Sequence, residues 1–183
     1  MSARADPVSG RGATLAAMAR HAIAERLGGP GPALPPSPPM DEHRGVFVTL
    51  RRRADNDLRG CVGIVEPRYP LGEAVRRAAV SSALDDTRFA PVTLGELASL
   101  TVHVSVLGPL APSAPEGVEV GRHGVVVRHD ERSALLLPQV ATEQGWDRET
   151  LLRQLCRKAG LPADTWQKPG CQLFVFEAET FSE

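Results

Sequence analysis

The chain has 183 residues, 42% of them hydrophobic and 23% charged, with a formal net charge of −1. That is the size of one ordinary domain with enough apolar content for a packed core, which excludes a disordered chain. The near-zero charge excludes a global electrostatic pull toward nucleic acid or an anionic membrane. The basic residues are almost all Arg, with Lys only at Lys158 and Lys168, a bias that fits a GC-rich coding sequence as well as it fits bidentate anion recognition.

Taken in chain order, residues 1–13 read as a disordered tail and 14–183 as a single domain. Leu15, Met18, Ala19, Ala22 and Ile23 recur at helical spacing until Gly28-Gly29 stops them. Half of the residues in 28–39 are proline, so that stretch reads as a stiff connector within the domain. Gly45–Arg53 predicts a strand, Ala54–Asp57 a turn and Leu58–Val65 the returning strand. Leu71, Ala74, Val75, Ala78, Ala79 and Ser82 mark one helix face, ended by the loop Asp85–Pro91. A short helical turn at 94–97 precedes a strand over Leu100–Leu107.

Pro109, Pro112 and Pro115 predict a loop. Val118–His129 reads as two strands broken near Gly121–Gly124, and Ser133–Val140 as another. Asp147 can cap a helix carrying Leu151, Leu152, Leu155 and Cys156 inward, with Gly160 and Pro162 ending it. Cys171–Glu177 alternates as the last strand. The order predicts an α+β fold with antiparallel pairing and two similar halves, not a doubly wound parallel sheet.

Three cysteines, Cys61, Cys156 and Cys171, lack C-x-x-C spacing and are odd in number, so they read as reduced thiols. No apolar signal core or bilayer-length run is visible, which predicts a soluble cytoplasmic protein with no membrane association. The five histidines are scattered without metal-ligand spacing, and no phosphate-binding glycine motif occurs, so neither a metal nor a cofactor is expected.

Chemistry concentrates in Leu58-Arg59-Gly60-Cys61-Val62-Gly63. On a strand, Arg59 and Cys61 share one face, roughly 7 Å apart, close enough for a guanidinium to favour a thiolate. Gly60 and Gly63 carry no side chain beside it. The competing reading is a small buried cysteine in a glycine-kinked strand, and local residue types alone favour it. His123, between glycines in Gly121-Arg122-His123-Gly124, can serve as acid or base, or simply as a solvated turn residue. Asp85, Asp86 and Arg88 form a third cluster, in which Asp86 or Arg88 can orient a substrate, or which is simply a solvated helix end with a local ion pair. Arg51–Arg53 is the only basic run; with Arg44 it is the one candidate for nucleic-acid binding, for which eight aromatics offer too little stacking surface.

These motifs together resemble the AMMECR-one domain family, known in prokaryotes as AmmeMemoRadiSam system protein A. The resemblance rests on the hexapeptide 58–63, Pro70-Leu71, Asp86–Pro91, Glu96-Leu97, Val104–Leu107, Gly121–Gly124, Leu137–Val140, Glu143–Trp146 and Lys158–Gly160, in that order, and covers roughly residues 14–182. It implies two β-β-β-α-α-type halves around one barrel-like sheet with helices outside. It implies association with a Memo-like protein and a radical SAM protein, and it favours Cys61 and His123 lying close in space. It prescribes no reaction. Two expectations follow: an enzyme or enzyme component with Cys61 as nucleophile or carrier thiol, His123 as acid/base, Arg59 as thiolate or anion stabiliser, and Gly60, Gly63, Asp86 and Arg88 around the substrate, or a non-catalytic partner of those proteins.

Overall fold

The computed structural model describes residues 10–34 and 40–183. They divide into two compact units, one running up to Leu107 and joined by Glu179–Glu183, the other Gly108–Ala178. Both are α+β with antiparallel pairing.

In the first unit α1 (Gly10–Arg26) packs on α2 (Leu71–Leu84). The buried faces are rich in alanine: Ala16, Ala19 and Ala22 on one, Ala74, Ala78 and Ala79 on the other. Such small side chains let the helices and the sheet beneath approach closely. The helix starts at Gly10, so the last part of the tail predicted over 1–13 belongs to α1, and residues 1–9 lie outside the described residues. The proline-rich connector predicted over 28–39 is irregular from Pro30 to Leu34, where His21 Nδ1 lies 2.8 Å from Pro32 O, and 35–39 fall outside the described residues.

Strands β1 (Val46–Arg52) and β2 (Leu58–Ile64) form the predicted hairpin. Asn56 closes its turn at φ 60°, a left-handed conformation that asparagine tolerates. The four-residue α3 (Leu94–Leu97) follows α2, capped by the Thr93 side chain on Glu96 N–H. Strand β3 (Leu100–Leu107) then returns beside β1. Val46, Val48 and Leu50 on β1 and Val102, Val104 and Val106 on β3 are buried on the helix-covered face. Alternation puts Phe47, Thr49 and Cys61 on the opposite face, with His103 and Ser105.

In the second unit β4 (Ala111–Ser113) precedes β5 (Gly124–His129), β6 (Arg132–Leu136), α4 (Pro138–Glu143), α5 (Arg148–Lys158) and β7 (Gln172–Phe176). Its core gathers Val125, Val127, Leu151, Leu152, Leu155 and Cys156. The chain ends on β8 (Ala178–Ser182).

The sheet orders are β2-β1-β3-β8 and β6-β5-β7-β4. Each half is a hairpin, two helices and a strand that returns beside the hairpin's first strand: β1-β2-α2-α3-β3 and β5-β6-α4-α5-β7. Each half is followed in the chain by the strand that completes the other's sheet, β4 beside β7 and β8 beside β3. Two four-stranded sheets therefore stand where one barrel-like sheet was expected.

Several local expectations change. The stretch 118–123 is turn and coil, so a single strand, not two, precedes the β5–β6 turn. The strand predicted over 133–140 stops at Leu136 because Pro138 opens α4, a first-turn position where its missing N–H costs nothing. Pro112, read as loop, sits in β4 at a sheet edge, where proline is tolerated. No helix among the described residues is long and apolar enough to cross a membrane.

Candidate functional site

The site forms in the first unit, where β2 meets the loop after α2. Helix α2 ends at Leu84, and Asp86 folds the next residues back on themselves: its Oδ1 accepts from Arg88 N–H at 3.2 Å, and its carbonyl accepts from Phe89 N–H. Aspartate suits such a turn because its short side chain reaches the backbone two residues on. The other carboxylate oxygen accepts the Cys61 backbone N–H at 2.8 Å. Arg88 clasps the same carboxylate with Nε at 2.9 Å and one terminal nitrogen at 2.6 Å, and that nitrogen also reaches Cys61 O at 3.5 Å. The Asp86 side chain is only 7% exposed, and chiefly the Arg88 hydrogen bond holds its carboxyl down at about 2. Cys61 and the Asp86–Arg88 pair, 25 residues apart at Asp86, are thus one hydrogen-bonded group.

Arg59 takes a different partner from the one the strand geometry suggested. Its guanidinium forks onto Glu96 of α3, Nε to Oε1 at 2.5 Å and a terminal nitrogen to Oε2 at 3.0 Å, and it also donates to Ala90 O. The same pairing holds the Glu96 carboxyl below its ordinary range. The Phe89 ring lies near both guanidinium groups, 5.8 Å from Arg59 and 5.4 Å from Arg88. Arg59 therefore fastens β2 to α3 and the loop, while Arg88 donates to the Cys61 carbonyl.

The space beside Gly60 and Gly63 is occupied. A Cβ on Gly60 would lie 2.2 Å from Ser82 O of α2, and one on Gly63 would lie 2.4 Å from the Phe47 ring. These glycines admit a helix backbone and an aromatic ring. The Cys61 thiol itself, half-buried, sits 3.3 Å from Thr49 Oγ1, its direct cross-strand neighbour. Thr49 also pairs with His103 on its other side, so Cys61, Thr49 and His103 form one row across three strands. Thr49, Glu96 and His103 escape a reading of the sequence. Strand alternation places Thr49 and His103 on the non-helix face, but only strand order makes them neighbours of Cys61.

His123 belongs to the second unit. Its Nδ1 accepts from Glu119 N–H at 3.1 Å, which leaves the proton of the neutral ring on Nε2. Burial pushes the Cys156 and Cys171 thiols above their ordinary range. No three His, Cys, Asp or Glu side chains among the described residues converge as a metal site.

Fold and site together define an α+β protein of two like halves, with a cysteine-centred polar cluster on the first. The chain belongs to the AMMECR1 family, whose model matches residues 16–181. It is 48% identical to Protein MK0488 of Methanopyrus kandleri, over 81% of this chain and 76% of that one. It is 45% identical to Protein PH0010 of Pyrococcus horikoshii, over 94% and 89% of the two chains. The crystal structure of PH0010, an uncharacterised protein, superposes with a TM-score of 0.84 at 45% identity, covering 92% of this chain and 89% of that one.

Proposed function

We propose that this AMMECR1-family chain is an enzyme component in which Cys61 acts as nucleophile or carrier thiol on a small molecule or modified residue, in company with Memo-like and radical SAM proteins. The observation that carries the reading is the placement of the thiol. It lies against a hydroxyl on a polar sheet face, with an ion pair bonded to its own backbone. The half-exposed Arg88 keeps one terminal nitrogen uncommitted among the described residues. That donor suits an anionic group on the molecule presented to Cys61. Asp86 holds both Arg88 and the Cys61 peptide in place, so nucleophile and anion donor move as one unit.

A second reading has its own support. Gly60 and Gly63 are explained by packing alone, which fits a non-catalytic partner whose hexapeptide shapes a docking surface. Thiol reactivity separates the two. In the native protein iodoacetamide is expected to label Cys61 at least about ten-fold faster than Cys156 or Cys171, by mass-spectrometric peptide mapping. Three equally slow thiols would remove the catalytic reading. C61S is expected to keep the fold and partner binding while abolishing turnover in a reconstituted system, whereas the docking reading predicts that turnover survives.

A further inference from the structure

We infer that the groove between α1 and α2 docks an acidic segment of a partner protein, one that also carries apolar side chains. The inference stands apart from the thiol reading, since neither Cys61 nor the side chains bonded to it line this groove. Glu25 and Arg26 face the groove from α1, and Arg76 and Arg77 from α2, around a volume of about 580 Å³. Between them Ala22 and Val80 complete the lining, Ala22 buried and Val80 half-buried. These residues recur three or four apart along each helix, so each helix turns one stripe toward the other's. The four charged side chains are exposed, and the apolar surface lies deeper than they do.

Charge selects the kind of occupant. Glu25 pairs with Arg76 at 3.3 Å and Glu73 with Arg77 at 2.7 Å, while the Arg26 guanidinium has no ion pair or hydrogen bond among the described residues. Three guanidinium groups thus stand against two carboxylates. The negative end of α1 accounts for a cation in its last turn, but Arg76 and Arg77 lie inside α2, away from its end. The Glu25–Arg76 pair is long and about half exposed on both sides, a surface contact of the kind that contributes little, so an incoming carboxylate can replace it. Glu25 is therefore the chain's own competitor for the groove. Guanidinium groups take carboxylates as planar, two-bonded partners, and Ala22 and Val80 offer contact to an apolar side chain beside the carboxylate. The lining holds no aromatic ring on which a base could stack, which favours a peptide over a nucleic acid.

Fluorescence anisotropy on the full chain tests this, with a short fluorescein-labelled peptide of alternating glutamate and leucine as the probe. The peptide is expected to bind, and to be released as salt is raised. R26A and R76A are each expected to weaken binding about three-fold, and together about ten-fold. E25Q removes the competing carboxylate and is expected to tighten binding about three-fold. R157A removes an exposed arginine from α5 in the second unit and is expected to leave the affinity unchanged, so that position and not net charge decides. All four positions are exposed, so the variants should fold, and thermal melts check that they do. A peptide that does not bind, an R157A loss equal to that of R26A, or an E25Q affinity at or below that of the wild type overturns the inference. So does an oligothymidylate that binds as tightly as the peptide and weakens in R26A and R76A, which would make the groove a nucleic-acid site.

Discussion

Replacing Asp86 with alanine is expected to destabilise the protein by about 2–4 kcal/mol, with a pH dependence that identifies the cause. The carboxyl is lowered from 3.8 to about 2 by its bonds to Arg88 and to the Cys61 and Arg88 backbone. At about 1.4 kcal/mol per pKa unit, the charged form contributes about 2 kcal/mol. Alanine also strips the Cys61 N–H of its acceptor, which adds about 1 kcal/mol, while the half-exposed Arg88 is rehydrated at little cost. A folded-state pKa below the unfolded one stabilises fully above the unfolded value and is lost as pH falls through the folded value. The contribution should therefore be intact at about pH 6 and fade between about pH 4 and about pH 2. D86N keeps one acceptor oxygen but no charge. In denaturant titrations it should lie below the wild type at about pH 6 and converge with it at about pH 2. An equal gap at both pH values would mean that the ion pair does not stabilise this loop.

Gly60→Ala is expected to cost about 3 kcal/mol or more, because the new methyl meets a backbone atom and not a flexible side chain. Ser82 O would lie 2.2 Å from it, and Ser82 is itself held, its Oγ donating to Val48 O at 3.0 Å in the buried core. Either α2 lifts from β2 or the strand buckles, and both disturb the Asp86 loop that leaves the end of α2. Gly95 is the control. It lies in α3, where a methyl group would meet nothing within 4 Å, so Gly95→Ala should be neutral or stabilise by up to about 1 kcal/mol. Chemical denaturation midpoints that shift alike in both variants would contradict the close approach at Gly60.

Much of the first unit was legible in the residues. The hairpin at 46–64 showed itself through two alternating runs around a turn, and α2 through its alanine face. The second unit was less so. The run Val125–Val127 is buried throughout, so alternation offers no guide there, and α4 and β4 are too short to leave a period. β8 was missed for the same reason.

The candidate site divides along the same line. Sequence by itself determined that Cys61 sits on a strand and that Asp86 and Arg88 lie in the loop that ends a helix. Those are short-range matters, set by a two-residue period and by the reach of a carboxylate to its own backbone. Only the tertiary structure decided that Arg59 pairs with Glu96, that Asp86 binds the Cys61 peptide, and that Thr49 and His103 complete the row. Each of these joins residues brought together by strand order or by a loop folding back on β2. They follow from burying the alanine and valine faces of α1, α2, β1 and β3 together, a packing choice that no local window records.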